Sequence, residues 1–546
     1  MTTPPDRLPA GPTRKQDPVS TPSPLRRRRL VPTLLAAVLA LSALAACSDA
    51  AAPADPAASQ SSDAPLPEVG DTLRLVLSRQ LTSVNPHKGG SPDSQGAVVG
   101  SVYEALTSVS PSTEVVPSLA TSWEQLSDLE WSFTIRTDAV FSDGTPLTAD
   151  TIVWNFQQLL DPAYKGTTGA PLRKFVGSVT SPDPTTVLFH LTAPALDLPG
   201  RLWSSWIIDP TFAQGHNIDT ESLGSGPYKI DSLDLENGAE LSLNPYYAGP
   251  KPAFETVRYT VLASEAQRVA ALQAEEADIA LNVEPLSLDQ FEDSDTYDTI
   301  LGVGPQPLVL AINEEKAGTP LADVRVRQAL NYATDKKTII TGLFHDAVEP
   351  LPGQVTFEPY QTEVEDVEAY PYDPKKAKQL LVDAGYADGI TLEVDVPSGT
   401  YVSADLASQA IKAQWAEVGV ELTITQTPFP AWLERQYGDS QAGADLVYIM
   451  WGGQYRDGFA LFDPFTSDHI QSDVVAPEFD ALVRQLQAAT DKDVQADLVA
   501  QAVESYREDA HTVFLYPSPF TAAISRGVTW EPRPSRYLYA QEVGRA

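Results

Sequence analysis

Apolar and polar positions along this chain alternate at two different periods, and the switches between them outline a mixed α/β protein. Leu73, Leu75 and Leu77 alternate with Thr72, Arg74 and Val76, which predicts a short early strand. Later, Ile390, Leu392, Val394 and Val396 alternate with Thr391, Glu393 and Asp395. Ala407, Ala410, Ile411, Trp415 and Val418 then recur at helical spacing, and Gly419 stands where a glycine commonly closes a helix. Val420, Leu422 and Ile424 return to period two. Strand, helix and strand in that order predict a βαβ unit with parallel strands. Upstream, Ala377, Leu380, Leu381 and Ala384 form one helical stripe closed by Gly385. Downstream, the unbroken apolar run Leu446-Val447-Tyr448-Ile449-Met450-Trp451 predicts a central strand buried on both faces, ending at Gly452-Gly453. Ligands of such sheets sit beyond the carboxyl ends of strands. Trp451-Gly452-Gly453-Gln454-Tyr455 occupies such an end.

The first part of the chain follows neither period. Residues 1–29 are polar and proline-rich and finish in Arg26-Arg27-Arg28-Arg29. The apolar stretch Leu30–Ala46 follows, shorter than the roughly 20 residues of a spanning helix. A basic start, an apolar middle and a small-residue exit are the layout of a secretory signal peptide. The exit, Leu44-Ala45-Ala46-Cys47, resembles a bacterial lipobox, whose cysteine becomes the lipidated first residue. Cys47 is the only cysteine of the 546 residues, so it has no disulfide partner within the chain. We therefore expect a lipoprotein signal peptide at 1–46, lipidation at Cys47 and a flexible tether at 47–69, where Ala, Ser, Asp and Pro cannot build a core. The arginine run leaves the choice between general and twin-arginine export open.

Charge narrows the partners. The chain carries a net −36, and the segment through Ala46 is itself basic, so the remainder is more acidic still. Nucleic acid is excluded as a partner, because phosphate binding needs a basic face. The charge is read as a solvated acidic surface rather than as a ligand signal. None of the P-loop, His-Glu-x-x-His, Gly-x-Ser-x-Gly or Gly-x-Gly-x-x-Gly patterns occurs. The six histidines, His87, His190, His216, His345, His469 and His511, include no i,i+4 pair. We expect no metal site, no cofactor and no enzyme activity.

Several segments, in order, resemble the family 5 extracellular solute-binding proteins of ABC importers, which include oligopeptide- and dipeptide-binding proteins. They are Val84-Asn85-Pro86-His87-Lys88, Val102-Tyr103-Glu104-Ala105-Leu106 and Val116-Pro117-Ser118-Leu119-Ala120-Thr121-Ser122-Trp123-Glu124. The most specific are Trp131-Ser132-Phe133-Thr134-Ile135-Arg136 and Phe141-Ser142-Asp143-Gly144-Thr145-Pro146-Leu147-Thr148-Ala149-Asp150. Gly224-Ser225-Gly226-Pro227-Tyr228, Asn244-Pro245-Tyr246-Tyr247 and the stretch from Val324 to Asp335 follow. Physically, most of these are structural. Asp143 to Pro146 is a turn, Thr148 caps a helix with Asp150 in its first turn, and Ile152, Phe156, Leu159 and Leu160 are its buried face.

The resemblance implies a two-lobed, periplasmic-binding-protein-like α/β fold of type II, in the large cluster with an extra subdomain. The implied limits are lobe I at 70–115, 223–305 and 512–546, the extra subdomain at 116–222, and lobe II at 306–511, with a first crossing at Gly304-Pro305-Gln306-Pro307. It implies a monomeric binder that captures oligopeptides between its lobes and passes them to ABC permease subunits. In peptide-binding relatives the segment matching Trp451, Gly452, Gly453, Gln454 and Tyr455 lines the cleft and pairs with extended peptide. Gln454 stands where many carry an aspartate for the peptide's amino group, and a glutamine cannot neutralise an ammonium. Asp457 either substitutes or belongs to a turn. Gln80, Thr82 and Ser83 are expected to face this segment from lobe I, and Trp203 and Trp206 either floor a pocket or pack internally. A non-peptide solute (an oligosaccharide or metal chelate) and a surface hydrolase or receptor on the same fold stay open.

Overall fold

A computed structural model describes residues 66–88, 94–112, 114–164, 168–354, 367–436, 442–451, 462–469, 472–533 and 536–546. Cys47 and the signal and tether expectations lie outside these residues. Among the described residues, no helix is long and apolar enough to cross a membrane.

One ten-stranded sheet runs through both lobes. Its order is Val420–Pro428, Ile390–Ser398, Leu446–Met450, Tyr297–Ile312, Thr512–Ser525, Ile279–Leu281, Thr72–Leu77, Thr256–Val261, Gly238–Leu243 and Tyr228–Asp234. The βαβ unit is present: Ile390–Ser398 and Val420–Pro428 pair in parallel across the helix Ala404–Glu417. Gly419 and Gly385 adopt φ of +92° and +95°, a conformation open to glycine at little cost, which is why they end their helices.

The apolar runs have a direct cause. In lobe II, Leu308, Leu310, Tyr448 and Leu446 enter one core, whereas Val309, Ala311, Val447 and Ile449 enter another on the opposite face. Alternate residues point to opposite faces, so a strand covered on both sides favours apolar residues at consecutive positions. The same holds early in the chain. Leu73, Leu75 and Leu77 face one lobe I core, and Val76, the apolar exception in that alternation, faces a second.

Two strands, Tyr297–Ile312 and Thr512–Ser525, are long enough to belong to both lobes. Tyr297 to Val303 pair with Ser525 to Pro519 in lobe I, and Pro307 to Ala311 pair with Pro517 to Thr512 in lobe II. The register shifts between Val303 and Pro307. Proline has no amide hydrogen to give the ladder, so Pro307, Pro517 and Pro519 loosen the sheet at the crossing. The second crossing therefore differs from the expected limit at 512. Val513, Leu515 and Tyr516 pack in lobe II, and Phe520 is the first residue of this strand in the lobe I core.

The extra subdomain is a four-stranded antiparallel sheet ordered Ala120–Ser127, Glu130–Ile135, Thr186–Leu191 and Val176–Asp183. The helix Ala149–Leu160 packs Ile152, Phe156 and Leu159 onto it, with the Phe156 and Phe189 rings edge to face at 4.8 Å. Thr148 caps this helix reciprocally with Thr151. The buried residues of the subdomain core run from Leu106 to Ile207 and Leu223 packs against them, whereas Ile208, Phe212 and Ile218 pack with lobe I. The Gly224 turn is a close approach: a Cβ there would lie 2.0 Å from the carbonyl oxygen of Val102.

Candidate functional site

The lobes touch beside the crossing strands, and four contacts define the cleft. In the first, Ser403 of lobe II donates from its amide (3.1 Å) and its hydroxyl (2.6 Å) to the Glu284 carboxylate of lobe I. In the second, Arg79 of lobe I donates to the carbonyl of Thr400 at 3.1 Å, with its guanidinium 5.5 Å from the centre of the Phe429 ring. In the third, Arg536 donates to Asn282 of its own lobe at 2.9 Å and to the Met450 sulfur of the other at 3.3 Å. In the fourth, Lys174 of the subdomain pairs with Asp463 of lobe II.

Around the first contact lies a cavity of about 330 Å³, walled by Glu265, Arg268 and Asn282 from lobe I and by Tyr401, Val402 and Asp405 from lobe II. Its lobe I wall is held rigidly. Arg268 donates to Glu265 (2.8 Å) and to the carbonyls of Leu262, Ala263 and Asn282. Glu265 in turn accepts from the Glu284 amide at 3.0 Å. Asn282 donates to the Ser78 hydroxyl at 2.9 Å. Behind Tyr401 of the lobe II wall, in the core, the Tyr448 and Tyr516 hydroxyls meet at 2.8 Å, and burial pushes both phenols up in pKa. Burial also pushes the Glu284 carboxyl up, against the pull of the Ser403 donors and of Arg268.

The expected site residues fall into three groups. Gln80 and Thr82 are exposed on the lobe I loop after the first strand, and the Thr82 hydroxyl donates to Gln95 at 2.6 Å. Ser83 is fully buried, and its hydroxyl donates to Asp219 at 2.7 Å while accepting from the Asn85 amide, so it fixes the loop. Trp451 does stand at the end of the central strand, but its ring is 5% exposed and meets Phe465 edge to face at 5.4 Å inside the lobe II core. Trp203 and Trp206 pack around Tyr537, at 4.9 and 6.1 Å. They also border a cavity of about 450 Å³ between the subdomain and lobe I, to which lobe II contributes no wall. Gly452, Gly453, Gln454, Tyr455 and Asp457 lie outside the described residues.

Glu284, Ser403, Arg79 and Asn282 are cleft residues that pattern reading does not single out. Ser403 directly before a helix reads as an ordinary cap, and Glu284-Pro285 reads as an ordinary helix start. Among the described residues, no group of His, Cys, Asp and Glu is arranged to hold a metal. Buried His87 is held neutral, its pKa lowered by burial to about 4, and its ring bonds the carbonyl of Trp206 at 3.2 Å. The cleft thus offers hydrogen-bonding and aromatic groups from two lobes joined by a loosened pair of strands, an arrangement suited to enclosing a solute.

Known proteins share this fold. Residues 114–473 match the profile of the bacterial extracellular solute-binding proteins, family 5. Heme-binding protein A of Haemophilus influenzae is 28% identical over 430 residues, covering 72% of this chain and 77% of that protein. The dipeptide-binding protein of Escherichia coli is 27% identical over 455 residues, covering 76% and 83%. The structure of the periplasmic binding protein DppA from Helicobacter pylori, in complex with the peptide STSA, superimposes with a TM-score of 0.78 at 19% identity, covering 87% of this chain and 98% of that one. With more than half its length matched in this way, the chain belongs to family 5 of the bacterial extracellular solute-binding proteins, the solute-binding components of ABC importers.

Proposed function

We propose that this protein captures oligopeptides in the cleft between its lobes and delivers them to the permease of an ABC importer, acting as a monomer held at the membrane by lipid on Cys47. The observation that carries the reading is the cleft itself, framed by two lobes on a proline-interrupted pair of crossing strands. Such a pair suits a hinge, about which the lobes open to admit solute and close to retain it. The dipeptide-binding relative and the peptide-bound structural neighbour support a peptide as the solute.

Trp451 and the stretch Gly452, Gly453, Gln454, Tyr455 and Asp457 follow the central strand. Their backbone is proposed to pair with an extended peptide, with Gln80 and Thr82 opposite. The Trp451 ring then acts as a support beneath the site rather than as its surface. One observation favours a non-peptide solute: Gln454 lacks the charge to hold a peptide ammonium, and one relative is a heme-binding protein. Calorimetric titration of the purified protein with synthetic di- to pentapeptides tests the proposal. Saturable binding at micromolar concentration supports it; no heat with any peptide, alongside saturable binding of heme, overturns it.

A further inference from the structure

The helix Ala404–Glu417 begins in an unusual way. A serine before a helix ordinarily has an extended backbone and accepts a hydrogen bond from an amide of the first turn. Ser403 has φ +55° and ψ +18°, and its side chain makes no bond to its own helix. Its hydroxyl and amide both point at a carboxylate of the other lobe instead, that of Glu284. A left-handed backbone is costly for a residue with a Cβ and persists only where its surroundings enforce it. The carboxylate also stands at the positive end of the helix dipole.

We infer that Glu284 and Ser403 form a closure latch, in which a carboxylate of lobe I completes in trans the N-terminus of a lobe II helix. The inference rests on the reading of the cleft as a trap that opens and closes. Opening the cleft separates the pair, so the helix start loses its charged partner. The other half of the latch is pre-set by lobe I alone, because Arg268, Glu265 and the Glu284 amide form one bonded chain. The latch is thus a stop: it fixes how far and in which register the lobes close, a role for which buried polar pairs are suited. Glu284 and Ser403 are positioning residues, acting on the solute through the shape of the closed cleft.

Spin labels placed on opposite lobes read the latch. Tyr246 of lobe I and Val382 of lobe II are exposed and far from it in sequence, so cysteines there, in the full chain carrying Cys47→Ser, give an inter-lobe distance by electron–electron resonance. Glu284→Ala and Ser403→Ala should each shift the populations toward longer distances, on the order of ten-fold in the open-to-closed ratio. The double variant should open no further than Glu284→Ala alone, because Ser403→Ala keeps its amide donor, and Glu284→Gln, which keeps an acceptor without the charge, should stay at least as closed as the parent. Ser403→Ala is the right change because glycine would also relieve the left-handed backbone. Unaltered distances in Glu284→Ala, or additive effects in the double variant, overturn the latch. Adding a mixture of synthetic tri- and tetrapeptides separates the two ideas. If the parent shortens with peptides and Glu284→Ala behaves like it, the latch fails and the trap stands. If the parent and the latch variants keep one identical distance with and without peptides, both fail.

Discussion

Pro307 sits opposite Pro517 where the two longest strands of the sheet pass from one lobe to the other. Neither residue can donate to the ladder, although the Pro307 carbonyl still accepts from the Trp451 amide at 3.1 Å, and the register breaks beside them. A cheap bending point is thereby built into an otherwise continuous sheet. Replacing both with valine should restore donors and stiffen the crossing. Small-angle scattering should then show a smaller contraction on adding the peptide mixture than in the parent, with the same overall fold by circular dichroism.

Lys336 predicts a pH-dependent stability. It is buried, its ammonium has no hydrogen-bond acceptor among the described residues, and Tyr370 lies 5.9 Å from it. Burial, with Arg507 adding to it, lowers its pKa to about 7 from 10.5. The unfolded chain therefore binds the proton more tightly than the folded one. Stability rises with pH between about 7 and 10.5, and the penalty is complete below pH 7. Lys336→Met should be more stable than the parent at pH 6, on the order of 4 kcal/mol, with the gain fading toward pH 10. Urea denaturation at both pH values checks this.

Acid should favour the closed cleft, contrary to the expectation for a latch made of a carboxylate. The groups facing Glu284 are Ser403, Glu265 and Arg268, with the Tyr448 and Tyr516 phenols further off; burial is the largest cause raising its pKa and Glu265 adds to it, against Ser403 and Arg268. A carboxyl with a raised pKa in the closed form takes up a proton on closing. The cost of burying its charge is thus full above the raised value and is relieved as pH falls through it toward the ordinary 4.5. The inter-lobe distance should shorten as pH falls from neutral toward 4.5 in the parent, and this pH response should be missing in Glu284→Gln.

Trp451→Ala should act through stability. The ring fills the lobe II core against Phe465, so its removal costs on the order of 3–5 kcal/mol. Trp451→Phe should keep most of the stability and most of the peptide binding. Thermal melting and titration of both variants separate the packing role from a direct contact.

What was legible in the sequence follows from how local each cause is. The strands at Ile390 and Val420 and the helix at Ala407 declare themselves because each buries an apolar stripe against its own lobe, and Leu73, Leu75 and Leu77 do the same on one face of their strand. The Thr148 cap is legible because donor and acceptor lie three residues apart. The cleft is different. Glu284 and Ser403 are 119 residues apart, and neither breaks a local rule in the one-letter sequence; only the backbone of Ser403, at positive φ, betrays the contact. Ser83 donates its hydroxyl to Asp219, while Trp203 and Trp206 both pack around Tyr537 and border a cavity. Polar and aromatic residues serve a core as readily as a ligand, and sequence position does not separate these uses.

The proposed lipid on Cys47 would divide the labour between anchoring and binding. Cys47→Ser should leave the protein unlipidated and released from the membrane fraction, with peptide binding unchanged. Membrane fractionation and titration of the same preparation check both halves.

The central claim is that the cleft holds a peptide, and the most direct test is mass spectrometry of the small molecules released when protein purified from its natural host is unfolded. The account predicts short peptides in near-stoichiometric amount. Release of a heme, a metal chelate or a sugar in their place would contradict it.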